Sequence, residues 1–279
     1  MANFHSNEWI MTRLAEHYEE AKEHFDESRI VGIFIQGSQN YGLDYEGSDI
    51  DTKLIVVPTF EDIAFNKKPH STTYVRANNE HIDFKDIRLY IETFRKQNLN
   101  FLEILFTPYK IVNPQYAEFW QKLVDAREAI AHYDIHRAIK SMKGIAMEKY
   151  HAMEHRYPSK IDIIDKYGYD SKQLHHLMRV ENYLMRYIAG ESYESCLIPD
   201  EETANKLRRV KEDNGYLSLE QARTVAGIYM GKINGEADKY LQTVSEGHDE
   251  KVEELLKAVQ YDIMKFAVAL ELVEEEYYG

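Results

Sequence analysis

Cysteine is nearly absent from this chain: a single one, Cys196, in 279 residues excludes an internal disulfide. A lone thiol in that setting reads as a small packed side chain before it reads as a nucleophile. No apolar run approaches the roughly 20 residues that a bilayer-spanning helix needs. The N-terminal stretch Met1-Ala2-Asn3-Phe4-His5-Ser6 has no basic segment leading into an apolar one. No membrane partner and a cytoplasmic location are therefore expected. Positive charge is also short, with 34 Lys and Arg against 48 Asp and Glu and a formal net charge of −14. That balance argues against a protein that coats nucleic acid by bulk electrostatics, while leaving a local basic groove open.

Apolar residues make up 44% of the chain, enough to fill one large or two modest domains. Acid gathers toward the C-terminus in Glu246, Asp249, Glu250, Glu253, Glu254, Glu271, Glu274, Glu275 and Glu276. The middle is enriched in Arg137, Lys140, Lys143, Lys149, Arg156, Lys160, Lys172, Arg179 and Arg186, a segment attractive to a triphosphate or a nucleic-acid end.

The chemistry is expected between two apolar runs, Ile30-Val31-Gly32-Ile33-Phe34-Ile35 and Lys53-Leu54-Ile55-Val56-Val57-Pro58. They read as strands, and the polar, Gly-rich stretch from Gln36 to Asp51 reads as the loop joining them. On a strand, Asp49 and Asp51 turn to one face while Ile50 turns to the other. Two adjacent anions repel unless a cation joins them, and hard oxygen ligands with few helpers suit Mg²⁺ carried by a nucleotide. Gly37 allows close backbone approach to a phosphate, and Ser38 adds a hydroxyl and an N–H.

Gly-Ser, ten intervening residues and Asp-Ile-Asp on a strand resemble the signature of the DNA polymerase β superfamily of nucleotidyltransferases. Three further stretches are similar to those of its polymerase-β-like branch associated with bacterial and phage RNA-repair gene clusters. They are His81-Ile82-Asp83-Phe84-Lys85-Asp86, Asn98-Leu99-Asn100-Phe101-Leu102-Glu103-Ile104-Leu105-Phe106, and Gly168-Tyr169-Asp170-Ser171-Lys172 running into His175-His176-Leu177-Met178-Arg179.

The resemblance implies an α+β nucleotidyltransferase domain, with a mixed or antiparallel sheet flanked by helices, followed by an all-α bundle. It implies Mg²⁺ (or Mn²⁺) as cofactor and a nucleoside triphosphate, ATP included, as substrate. The activity implied is transfer of a nucleoside monophosphate to a hydroxyl acceptor with release of pyrophosphate. Asp49, Asp51 and Asp83 are the implied catalytic residues and metal ligands, holding two metal ions. Gly37 and Ser38 would grip phosphate, and Lys172, His176 and Arg179 would bind nucleotide. The acceptor stays open among an RNA end, a protein hydroxyl as in adenylylation (including toxin-type) and a small molecule. A non-catalytic nucleotide-binding module on the same fold is the rival reading.

In chain order, apolar spacing predicts a helix over residues 7–27 capped by Ser6 or Asn7, and residues 60–71 read as a short helix and a turn around Lys67-Lys68-Pro69. Residues 72–76 and 80–84 read as an antiparallel pair around Asn78-Asn79, with His81, Asp83 and Lys85 on one face. Asp83 joins Asp49 and Asp51 if this strand neighbours theirs. A helix capped by Asp86 follows, then a second helical piece from Phe101. Asn98, Asn100 and Glu103 read as residues that hold backbone turns. Residues 109–112 make a last edge strand, and the domain boundary is placed there: 1–112 nucleotidyltransferase, 113–279 helical. The segments 115–131, 133–154, 170–189, 201–213, 218–242 and 249–276 show helical periodicity.

In the helix from Asp170 or Ser171, Lys172, His175 or His176, and Arg179 form a cationic stripe while Leu174, Leu177, Met178 and Leu184 face inward. His151-Ala152-Met153-Glu154-His155 matches the His-X-X-Glu-His pattern of inverted zinc proteases. Its place at a helix end before Pro158 and the lack of a marked third ligand weigh against zinc.

Overall fold

The structure, a computed structural model, describes residues 3–278 and side chains through residue 273. The side chains of Glu274, Glu275 and Glu276, part of the acidic run, lie outside the described residues. The fold is α+β, and the chain forms two compact units. The sheet unit gathers His5–Asn40, Gly47–Asp134 and His248–Gly279, and the helical unit gathers Met1–Phe4, Tyr41–Glu46 and Ile135–Gly247. Residue 112, where the sequence placed the boundary, falls inside the sheet unit.

Five strands form one sheet: β1 (Ile30–Gln36), β2 (Asp51–Val56), β3 (Ser71–Val75), β4 (His81–Asp86) and β5 (Lys110–Val112), in the order β3-β4-β2-β1-β5. Only the β2–β4 pair is parallel; the other three pairs are antiparallel. Around the sheet lie α1 (Asn7–Ala21), α2 (Phe60–Ala64), α3 (Ile87–Arg95), α4 (Leu99–Leu102), α5 (Ala117–Asp125) and α6 (Arg127–Ala131). The helical unit holds α7 (Ile135–Ala152), α8 (Ile161–Tyr167), α9 (Ser171–Ile188), α10 (Tyr193–Leu197), α11 (Glu201–Glu212) and α12 (Leu219–Leu241). The long α13 (Glu250–Tyr278) belongs to the sheet unit.

The Ser6 side chain starts α1 by accepting the Trp9 N–H at 3.1 Å. Ile10, Leu14, Tyr18 and Ala21, at helical spacing, bury one face against Ile33, Ile35, Leu54, Ile82 and Phe84. Full burial of an Ile or Leu contributes roughly 1.5–3 kcal/mol each, so this interface is the main support of the sheet's apolar face. The helix ends at Ala21 rather than 27, because the Lys22 to Phe25 amides close short turns onto residues 18–21 and Phe25 folds back onto the core. The β2 strand ends at Val56, ahead of Pro58, and Asp86 caps α3 by accepting the Arg88 N–H at 2.8 Å.

The α13 helix, expected in the bundle, packs on the sheet unit instead. Arg95 Nε and the Tyr133 hydroxyl both donate to Glu253 at 2.9 Å, and Phe266 lies edge-on to Tyr116. Its acidic residues thus meet cations that precede the bundle in sequence.

In the helical unit α9 is central, packing against α7, α10, α11 and α12. Leu174, Leu177, Met178 and Leu184 are buried on its inner face. The segment Tyr41–Glu46 is held in this unit by α11 and α9. Arg208 donates to the Gly42 carbonyl, Lys211 to the Leu43 carbonyl at 3.2 Å, and the Arg179 guanidinium lies 4.2 Å from the Tyr41 ring centroid.

Candidate active site

The loop after β1 is built by glycine and by buried polar partners. Gly37 has φ +97°, a region costly for any residue with a Cβ, and Ser38–Asn40 continue as a single 3₁₀ turn. The Gly37 N–H donates to Glu103 Oε1 at 3.0 Å, the Asn40 amide donates to the Ile35 carbonyl, and the Thr107 hydroxyl donates to Asn40 Oδ1. Glu103 thus holds a backbone turn, as its sequence context suggested, and Asn98 does the same by accepting the Asn100 N–H. The Gly37 amide is engaged with Glu103; Ser38 remains half-buried.

Ile50 is fully buried in the core, and the acids on either side of it are not. Asp49 is exposed and precedes β2, which begins only at Asp51. Asp51 Oδ1 accepts two hydrogen bonds from His81, from its backbone N–H at 3.0 Å and in contact with its ring Nδ1 at 2.9 Å. The β4 strand does neighbour β2, with Asp83 opposite Lys53. The Asp83 carboxylate is there occupied: Lys53 Nζ lies 2.9 Å from its Oδ2. Lys53 is itself buried, and that burial pushes its ammonium below the usual range while Asp83 pulls it back up. Among the described residues, no three His, Cys, Asp or Glu side chains are gathered as a metal site.

Aromatics wall this polar face. The Phe101 ring lies 4.0 Å from Lys53 Nζ and 4.5 Å from Lys85 Nζ, and Tyr90 meets Phe101 edge-on. The Tyr90 hydroxyl is buried with no hydrogen-bond partner among the described residues. Burial first, and the Asp83 charge second, hold its phenol well above the usual range. The sequence reading set Lys85 on the face of Asp83 and Lys53 in the second apolar run but gave neither a role in the site, although each follows an acid at strand spacing, Asp83 and Asp51 respectively. It also missed Gln39, whose partner Asp49 lies ten residues on in the same loop, and Glu80, whose partner His17 is distant in sequence.

On α9 the three assigned residues differ in setting. Lys172 is exposed, His176 is half-buried and Arg179 is buried over Tyr41. His175 Nδ1 donates to the Leu207 carbonyl at 2.9 Å, and burial pushes its imidazole down to about 3. Burial and neighbouring His175, Arg179 and Lys172 hold His176 well below its usual range. Both histidines are therefore neutral, and the cationic stripe reduces to Lys172 and Arg179. Much of the basic middle segment is paired inside its own unit: Lys143 with Asp238, Lys149 with Glu148, Arg156 with Asp165 and Arg186 with Glu191. In the His151–His155 pattern, α7 ends at Ala152, so the histidines do not share a helical face, and Arg223 occupies the Glu154 carboxylate.

Residues 7–189 match the RNA repair pathway DNA polymerase beta family. Among solved structures, a nucleotidyltransferase-like protein from Exiguobacterium sibiricum 255-15 aligns with 84% of this chain and 75% of its own. The identity in that alignment is 13% and the TM-score 0.27. Comparison with curated proteins gives no match. Among the described residues, no helix is long and apolar enough to cross a membrane.

Proposed function

The chain belongs to the RNA repair pathway DNA polymerase beta family, and from that premise we propose that it moves a nucleoside monophosphate from a triphosphate to a hydroxyl acceptor, an RNA end. The observation that supports this reading is the placement of two carboxylates, Asp49 and Asp51, on either side of a buried Ile50, one loop away from the Gly37-Ser38 turn.

The donor set suits a hard divalent cation, Mg²⁺ or Mn²⁺, because it offers carboxylate oxygens of which Asp49 is open to solvent. Asp49 and Asp51 would hold it, and when bound it would neutralise phosphate charge and favour attack at the α-phosphorus. Ser38 would donate to the triphosphate. Asp83 would be the site's third anion, its charge compensated by Lys53. Phe101 covers the ammonium side of the Lys53–Asp83 pair, which strengthens it.

The deciding experiment incubates the protein and Mg²⁺ with each α-labelled nucleoside triphosphate, with and without RNA. Label on RNA is expected. Label on the protein or on a small molecule would move the acceptor to those classes, and label on nothing would leave a nucleotide-binding module.

A further inference from the structure

The peptide group joining Asp49 to Ile50 is gripped at both ends by buried side chains. Gln39 Nε2 donates to the Asp49 carbonyl at 2.8 Å, and the Ile50 N–H donates to Glu80 Oε1 at 3.2 Å. Gln39 is 3% exposed and Glu80 5% exposed, so neither bond competes with water. In a trans peptide the C=O and N–H point in opposite directions, so one bond on each side fixes the plane against rotation. The grip extends further along β2. Glu80 Oε2 is held by His17 Nε2 at 2.9 Å and by Arg13 and Arg76, and His17 Nδ1 reaches Thr52 Oγ1 at 3.0 Å. The Asp49 carbonyl, the residue between the two acids and the residue just after them are thus all tied down.

Burying a carboxylate beneath two guanidiniums and an imidazole is rarely the most stable way to fill a core. The geometry points to a different use: we infer that Gln39 and Glu80 are positioning residues that aim the Asp49 and Asp51 carboxylates. Free to rotate, two like charges flanking one residue turn apart. Fixing their shared backbone narrows the directions the two side chains can take and so lowers the cost of gathering both on a common cation. Gln39 adds a second link. It sits one residue after Ser38 in the same 3₁₀ turn, so the hydroxyl assigned to phosphate and the carboxylates assigned to the cation move as one body. This inference rests on the reading of Asp49 and Asp51 as cation ligands.

The test is Mn²⁺ affinity, read by electron paramagnetic resonance of the free ion, with the α,β-methylene analogues of the four nucleoside triphosphates present. It compares wild type with Gln39→Met, Glu80→Gln and, as control, Asp51→Asn, each at a temperature where circular dichroism shows it folded. Gln39→Met keeps the length and removes the donor; it should lose at least about tenfold in affinity, the scale of one buried hydrogen bond. Glu80→Gln keeps an oxygen for the Ile50 N–H and should lose less. Asp51→Asn should bind no Mn²⁺. A Gln39 with a merely structural role would lower the melting temperature and leave the affinity of the folded protein unchanged. Wild-type affinity in Gln39→Met beside lost affinity in Asp51→Asn overturns the positioning role alone. Unchanged affinity in Asp51→Asn overturns the cation reading and the positioning role with it. Should Gln39→Met not fold, Gln39→Leu carries the same expectation.

Discussion

Gly37 shows how one residue can be required by backbone alone. A methyl group on its Cα would meet open space, with no atom within 4 Å, so at a φ of +97° a side chain costs conformational strain and nothing else. Gly37→Ala should therefore destabilise the protein by about 1–3 kcal/mol, measured by denaturant unfolding. The acids behave in the opposite way. Asp49 is exposed, so Asp49→Ala should leave the unfolding curve within about 0.5 kcal/mol of wild type. Transfer of labelled nucleotide should still fall at least about a hundredfold, the scale of a lost electrostatic stabiliser; near wild-type transfer would remove Asp49 from the site. The spacing of Gly37, Ser38, Asp49 and Asp51 was legible because those residues lie within one loop and its flanking strands. The partners of Asp83 and of the Ile50 N–H were not. Lys53 meets an acid 30 residues away and Glu80 meets His17 63 residues away, pairings that exist only once the strands and α1 are packed together.

Elements were readable where their period had room to show. The α1, α3, α7, α9 and α12 helices each run long enough for apolar residues to recur, and the β3–β4 hairpin announces itself through Asn78-Asn79, with Asn79 at φ +66°. The α8 and α10 helices, seven and five residues long, span too few turns to display a stripe. The parallel pairing of β2 with β4 was equally hidden, since it depends on the crossover through α2 and β3 rather than on either strand's own pattern. The placement of α13 with the sheet was lost for a similar reason, because Arg95 and Tyr133 recognise Glu253 across more than a hundred residues. Packing of α1 carries a direct prediction. Leu14 is fully buried among Ile33, Leu54 and their neighbours, so Leu14→Ala should cost about 2–5 kcal/mol in denaturant unfolding. Metal affinity of the folded variant should stay unchanged, because Leu14 has no part in the ties around Ile50.

At the scale of the whole molecule, the two units carry different acid sensitivities. In the sheet unit, burial alone would raise the Glu80 carboxyl, but hydrogen bonds from His17, Asn78 and Arg13 outweigh it and hold the group at about 2. Glu253 is likewise held at about 2 by Arg95, Tyr133 and Lys257 against its burial. An unfolded carboxyl near 4.5 takes up its proton first, so this stability is complete above pH 4.5 and drains away as pH falls toward 2. In the helical unit, His175 stays neutral until about pH 3, whereas the unfolded imidazole protonates near 6.5. The unfolded helical unit therefore binds the extra proton throughout that interval, and its stability falls from pH 6.5 downward, two units above the carboxylate window. Both tryptophans, Trp9 and Trp120, lie in the sheet unit and report on it alone. Far-UV circular dichroism should begin to fall on acidification while tryptophan emission still holds, and His175→Gln, which keeps a donor for the Leu207 carbonyl, should move the dichroism onset to lower pH. Coincident curves in wild type, or an onset unmoved in the variant, would show that the buried imidazole does not set the acid limit of the helical unit.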